Sequence, residues 1–135
     1  MIDAFTQLNW LAVALATVAG GVLGGVYFGA LVPQAYLRVL GRSEAPAPTP
    51  VSMAGPLICM LLTVVTGAVL IQALGLSTVA DAIEFGLIVG IGYLTAMTFQ
   101  IAINPNFPHP LRYGLLNAPF FLATSLASSL ILVLL

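Results

Sequence analysis

Four long runs of apolar residues, each free of charged side chains, account for most of the 135-residue chain. The runs cover residues 8–32, 51–80, 85–107 and 113–135. A helix that crosses the bilayer core needs about 20 apolar residues at a rise of about 1.5 Å each, so every run is long enough. The pattern predicts an all-α fold, a four-helix transmembrane bundle that forms one integral membrane domain over residues 1–135.

Prolines and capping residues limit the four predicted spans. The segments 45–50 and 104–110 each carry three prolines, which cannot continue a helix, so both should be loops. Gly75 suits a helix C-terminus, and Thr78 with Asp81 three residues later resembles a capping box. We predict spans one to four at about residues 8–32, 52–75, 80–104 and 113–135, with inner loops at 33–51 and 105–112.

The arginines predict the orientation of the bundle. Arg38 and Arg42 lie between spans one and two, and Arg112 lies between spans three and four. The acidic residues Asp3, Asp81 and Glu84 fall on the opposite side. By the positive-inside tendency, the arginine loops are cytoplasmic and both termini lie outside. We expect a multi-pass protein of the cell inner (plasma) membrane.

Composition excludes several other classes of protein. Hydrophobic residues make up 61% of the chain and charged residues 5%, against roughly 45–50% and about 25% in an average soluble domain. Three arginines and no lysine provide no basic cluster, so no nucleic-acid partner is expected. We expect most of the chain to be surrounded by the lipid bilayer.

Small residues spaced four apart mark faces on which helices pack in lipid, where close backbone approach replaces the hydrophobic effect. Span one has two such rows, and span three has one. From these rows we predict helix packing through Gly20, Gly21, Gly24, Gly25, Gly86 and Gly90. The rows pack within one chain, pack between chains, or line a narrow cavity.

A comparison of the chain with itself suggests an internal repeat. A shift of 66 positions lays span one on span three, with eight identities in 22 positions. The identical pairs are Val13/Val79, Ala14/Ala80, Ala16/Ala82, Gly20/Gly86, Gly24/Gly90, Tyr27/Tyr93, Ala30/Ala96 and Gln34/Gln100. Spans one and three run in the same direction, so such a two-plus-two repeat would be parallel. It predicts that their glycine faces touch.

Several segments resemble one family of bacterial membrane proteins. They are Leu8–Val13, Gly24–Tyr27, Tyr36–Gly41, Pro110–Arg112 and Leu116–Phe121. In order and spacing they are similar to the family called domain of unknown function 1761, over nearly the whole chain. Where that family usually has an aromatic pair and a small-Pro dipeptide, this chain has Tyr27, Phe28 and Gly29. The resemblance implies a compact four-span protein and carries over no catalytic residues.

The chain has too few reactive side chains for a recognisable catalytic or metal centre. One Cys and one His form neither an internal disulfide nor a structural zinc site. Cys59 lies in an apolar run and is expected to be a small buried side chain. His109 lies in a proline-rich loop, on the side opposite Asp81 and Glu84. We expect no catalytic residues, no metal and no cofactor.

Six polar residues remain as possible ligand or ion contacts: Glu84, Gln34, Gln100, Asn104, Arg112 and Asn117. Glu84 either caps span three at the interface or, if the helix starts deeper, forms an ion or proton site. Asn117 lies two residues before Pro119, which denies the carbonyl of Leu115 its helical partner. Asn117 therefore either satisfies that distortion or lines a polar vestibule at the inner face.

Our leading interpretation is a non-enzymatic four-span inner-membrane protein that acts as a helix-packing oligomer or as an accessory membrane subunit. Its partner would be a second copy or another membrane protein. The alternative is a small-solute or ion transport module with a polar vestibule at the inner face. A membrane enzyme acting on lipid or quinone is less favoured. A continuous polar path from Glu84 to Asn117 would support transport, whereas a dry glycine-packed centre would support the structural role.

Overall fold

The computed structural model describes residues 2–135, with side chains from residue 4 onward. The described chain is helical and contains no strand. Its four long apolar helices, each able to cross a membrane, are spans one to four: Trp10–Leu31, Pro50–Leu74, Val79–Ala102 and Pro110–Leu134. Two short helices, Ile2–Phe5 and Pro33–Val39, precede and follow span one. The protein is thus an all-α bundle of four candidate membrane spans.

Local capping explains where the spans begin and end. Thr78 and Asp81 form the predicted capping box: the Thr78 hydroxyl accepts from the Asp81 N–H, and the carboxylate accepts from the Thr78 N–H. Gly75 ends span two in the left-handed region at φ +66°, as its position predicts. A second capping box, Thr49 with Ser52, opens span two and was not predicted. Each box satisfies backbone donors that the first helical turn leaves free.

The two loops that carry arginine meet at one end of the bundle. A Cβ on Gly41 would lie 3.1 Å from Pro108, and the rings of Tyr36 and Tyr113 are 6.0 Å apart. We call this the arginine end, since it holds Arg38, Arg42 and Arg112.

Both ends of the described chain lie at the opposite end of the bundle, which we call the terminal end. Asn9 connects them: its side-chain oxygen accepts from the N–H groups of Leu11 and Ala12, and its Nδ2 donates to the Leu135 carbonyl at 3.0 Å. Asp3 belongs to the short helix Ile2–Phe5 at this end, and its side chain lies outside the described residues.

Span four lies at the centre of the bundle and packs on spans one and three. A Cβ on Gly86 would lie 3.0 Å from the Cα of Leu126, and one on Gly90 would lie 3.3 Å from the Cα of Leu122. The predicted contact between the glycine faces of spans one and three is therefore wrong. Gly86 and Gly90 pack on span four, which is interposed between them and span one.

The glycines of span one contact two other helices. A Cβ on Gly20 would lie 2.7 Å from the Met60 sulfur, and one on Gly21 would lie 2.9 Å from Leu57, both in span two. A Cβ on Gly24 would lie 3.4 Å from the Phe120 ring of span four. Gly25 has no neighbour within 4 Å of such an atom.

Two wide helical turns interrupt the spans that sequence analysis treats as regular α-helices. Span one changes to π-helix at Tyr27–Leu31, and span three does so at Ile88–Thr95. Under the 66-residue shift, Tyr27 corresponds to Tyr93, so the two π segments overlap. The repeat itself stays a prediction. After the first π segment, Pro33 opens the helix Pro33–Val39, within the stretch that we assign to an inner loop.

Span two has fully buried residues only along its second half. Val64 and Ala68 are buried against Leu8, Val13 and Ala16. Between residues 50 and 63, by contrast, every position is exposed or only partly buried. Span two makes no extended contact with span three. The bundle is therefore open between these two helices toward the arginine end.

Gly86→Ala tests the close approach of spans three and four. The new methyl group would press on the Leu126 backbone and on the Ser129 hydroxyl, so we expect a loss of about 1–3 kcal/mol in unfolding free energy. Gly29→Ala is the control, because a Cβ there meets nothing within 4 Å. Thermal melting in detergent measures both variants. Equal melting of the two would contradict the packing described here.

Candidate functional site

A cavity of about 670 Å³ lies between span two and span four and is bounded by spans one and three. Its walls are mostly apolar. At the arginine end they include Phe28, Tyr36 and Tyr113, and near the terminal end they include Phe85 and Leu132. The cavity therefore extends through much of the depth of the bundle.

The cavity forms where the glycine row of span one faces the half of span two that is not buried in the bundle. Gly20, Gly21, Gly24 and Gly25 of span one line it, together with the exposed half of span two. Spans two and three approach near the terminal end, where a Cβ on Gly67 would lie 3.9 Å from the Phe85 ring. The glycine row of span one thus serves both as a contact with span two and as part of the cavity wall.

Asn117 is the one member of the six predicted polar residues that lines the cavity. It is only 4% exposed, and its Nδ2 donates to the Tyr113 carbonyl at 2.8 Å. The side chain thus bonds one turn back rather than to the Leu115 carbonyl that Pro119 leaves free. The reason is geometric, since helical side chains point toward the N-terminus and over the i−4 residue.

Tyr27 provides a second polar contact in the same turn. Its hydroxyl crosses from span one and donates to the Leu116 carbonyl of span four at 2.8 Å. The Tyr27 ring also stacks on Phe120, with centroids 6.0 Å apart. The turn before Pro119 is therefore held both from within its own helix and from span one.

Tyr93, the counterpart of Tyr27 under the 66-residue shift, faces the opposite way. It is 67% exposed on the outer side of span three. No hydrogen bond to its hydroxyl is found among the described residues, whereas the Tyr27 hydroxyl is satisfied. Gly92, next to it, has no neighbour within 4 Å of an added Cβ. Span three thus presents an unpartnered hydroxyl beside an open glycine.

The other five predicted polar residues lie apart from the cavity. Glu84 is exposed in the second turn of span three, and Gln34 and Gln100 are exposed near the arginine end. The Asn104 amide donates to the Ile101 carbonyl and its oxygen accepts from the Asn106 N–H. Arg112 is exposed in the first turn of span four. The structure therefore places none of these five with Asn117 on the cavity wall.

A row of hydroxyls on span four lines the cavity, and sequence analysis missed it as a site. Thr124, Ser125 and Ser128 follow Asn117 by two to three helical turns and share its face. Their spacing could have indicated a polar face, because they follow Asn117 by seven, eight and eleven residues. A helix places residues at these spacings on one side.

Cys59 is exposed and lines the cavity, so the expectation of a buried side chain is wrong. It belongs to the half of span two that leans away from the bundle. Composition indicated only an apolar neighbourhood, which in a membrane protein is provided by lipid as well as by a protein core.

Tyr36, outside the spans, borders the cavity at the arginine end. Burial and the neighbouring Tyr113 hydroxyl raise the pKa of its phenol above the usual range. The side chain therefore stays neutral at physiological pH.

No group of three or more metal-ligating side chains occurs among the described residues.

Comparison with known proteins places the chain in a family. The sequence model described as "Protein of unknown function (DUF1761)" matches residues 11–133. The chain belongs to this family. The match includes all four spans and agrees with the resemblance seen in the sequence. Neither curated proteins nor solved structures yield a match to this DUF1761 chain.

Asn117→Leu separates the two roles considered for this residue in the DUF1761 chain. The change removes the bond to the Tyr113 carbonyl, and we expect it to cost about 1 kcal/mol of stability. Gln34→Leu is the control, because Gln34 is an exposed amide. Melting in detergent measures both. If Asn117 instead serves a vestibule alone, the variant melts like the wild type but loses solute or headgroup binding.

Proposed function

We propose that this DUF1761 chain is a non-enzymatic, self-associating protein of the cell inner membrane, with the outer face of span three as the contact between copies. The face consists of Gly92, Tyr93 and Ala96. The observation that carries the proposal is the unpartnered hydroxyl of Tyr93, 67% exposed within a candidate span.

The Tyr93 hydroxyl lies so far from the end of span three that leaving it unpaired in lipid costs free energy. Tyr93 lies nine residues before Ala102, the end of span three, which is about 13 Å of helix. A hydroxyl left without a partner in an apolar environment costs about 1–3 kcal/mol. A second copy would provide that partner.

The neighbouring small residues suit such a contact. Gly92 and Ala96 are four apart and both are exposed. Small residues at this spacing allow two helix backbones to approach closely in a membrane. Copies inserted in the same orientation are related by an axis along the membrane normal, so that equal depths meet. The Gly92 residues of two copies would then lie near each other.

The distribution of charge argues for this role over ion or solute transport. Glu84 and Arg112 are exposed and do not line the cavity, and the cavity wall carries no charged side chain among the described residues. The proposal also treats the chain as non-enzymatic, because no set of convergent titratable groups surrounds a reactive position in the part of the chain that the structure describes.

Cysteine cross-linking in native membranes tests the association. In a Cys59→Ser background, we expect Gly92→Cys to give a cross-linked dimer with a short bis-maleimide. Val22→Cys is the control, because it is exposed at a similar depth on span one. Adding Tyr93→Phe to Gly92→Cys should lower the dimer fraction. Equal yields from positions 92 and 22, or no dimer at position 92, would contradict the proposal.

Thiol labelling tests the proposed orientation, with the arginine end in the cytoplasm. In the same Cys59→Ser background, Ser77→Cys should react with a membrane-impermeant maleimide in intact spheroplasts. Ser43→Cys, in the loop with Arg42, should react only after the membrane is permeabilised. The reverse pattern would show that the termini are cytoplasmic.

A further inference from the structure

We propose that the cavity between spans two and four binds a neutral, lipid-soluble molecule of the quinone type, whose carbonyl oxygen lies at the depth of Thr124. This site goes beyond the self-association proposed above, since the cavity lies on the inner side of span three and the Tyr93 face on the outer side. Volume, lack of charge, depth and unpaired hydroxyls each contribute to the assignment.

The unpaired hydroxyls indicate a ligand rather than empty apolar space. Thr124 is 4% exposed, and its buried Oγ1 has no hydrogen-bond partner among the described residues. Ser125 and Ser128, beside it on the cavity wall, likewise donate to nothing in the described part of the chain. Thr17, Thr63, Thr66 and Thr98 bond back to their own helices instead. The Thr124 Oγ1 is itself enclosed by protein atoms, so it would reach the cavity by a turn about its Cα–Cβ bond. A carbonyl oxygen with two lone pairs would then accept from it and from a second free hydroxyl.

The cavity wall selects a neutral molecule. None of the described residues that line it is Asp, Glu, Arg or His. An ionised group would remain uncompensated there, at a high cost in solvation energy. An uncharged carbonyl requires only a hydrogen bond.

The depth of Thr124 argues against a phospholipid headgroup as the partner of these hydroxyls. Thr124 lies 14 residues after Pro110 and 10 residues before Leu134, which is about 21 Å and 15 Å of helix. It is thus near the middle of the span, at least about 12 Å below either surface of a hydrocarbon core about 30 Å thick. Phospholipid headgroups remain at that surface, whereas a lipid-soluble quinone carries its carbonyl groups into the core.

The size and lining of the cavity fit a small molecule. Its volume of about 670 Å³ lies within the range of about 300–1,000 Å³ that is usual for ligand sites with apolar walls and few polar groups. Phe120, Phe121 and Phe85 offer aromatic rings close to the hydroxyl row. The opening between spans two and three gives access from the bilayer.

Binding of a tritiated decyl-benzoquinone to the purified protein in detergent tests the site. We expect saturable binding that Thr124→Val weakens about fivefold, the usual effect of one neutral hydrogen bond. Thr66→Val is the matched control, because its hydroxyl is exposed and bonds to the Leu62 carbonyl of its own helix. Without ligand, Thr124→Val should melt no lower than the wild type, since its hydroxyl has no partner to lose.

Decylbenzene, which has a six-membered carbon ring of similar size and the same tail but no carbonyl group, should compete much more weakly. Equal competition would mean that apolar chains alone fill the cavity and would overturn the proposal, as would wild-type affinity in Thr124→Val or the absence of saturable binding.

Gly25→Leu provides a test that does not depend on the folding of Thr124→Val. Gly25 lines the cavity, and a Cβ there meets nothing within 4 Å. The larger side chain should fill the space and abolish binding with little change in melting. Retained binding in this variant would also overturn the proposal.

Discussion

The close backbone approach of spans three and four is the contact on which the rest of the bundle depends. Lipid and leucine are equally apolar, so helices in a bilayer gain little by burying hydrophobic surface and associate through packing. Gly86 and Gly90 allow span three to lie against the backbone of span four. A Cβ added at these two positions would lie 3.0 Å from the Cα of Leu126 and 3.3 Å from the Cα of Leu122. Tyr27 then ties span one to the other side of span four at the Leu116 carbonyl.

Once span four is enclosed by spans one and three, span two has only part of a face left to pack on. It is held at the terminal end, where Val64 and Ala68 meet span one. Toward the arginine end it faces the glycine row of span one, which provides no side chains to fill the space. The cavity is therefore a result of how the helices are arranged, and hydroxyl groups of span four form part of its wall.

The number of spans, the capping box at Thr78 and the common end of the three arginines could all be predicted from the sequence. Each depends on local rules: the length of an apolar run, hydrogen bonding within one helical turn, or the parity of membrane crossings. The burial of Asn117 was also predictable, since an amide side chain is costly in hydrocarbon. Its bond to Tyr113 rather than Leu115 followed from side-chain direction in a helix, which the argument from Pro119 overlooked.

Local rules could not determine which helices are neighbours. A glycine row marks a contact face but not its partner, so Gly86 and Gly90 were assigned to span one although they pack on span four. The exposure of Cys59 and the cavity beside Thr124 could not be predicted for the same reason, because both depend on how span two is placed against the other helices. Apolar runs alone therefore decided that this chain forms four membrane-spanning helices, whereas the tertiary structure decided which faces meet, since lipid and protein are equally apolar surroundings for a helix.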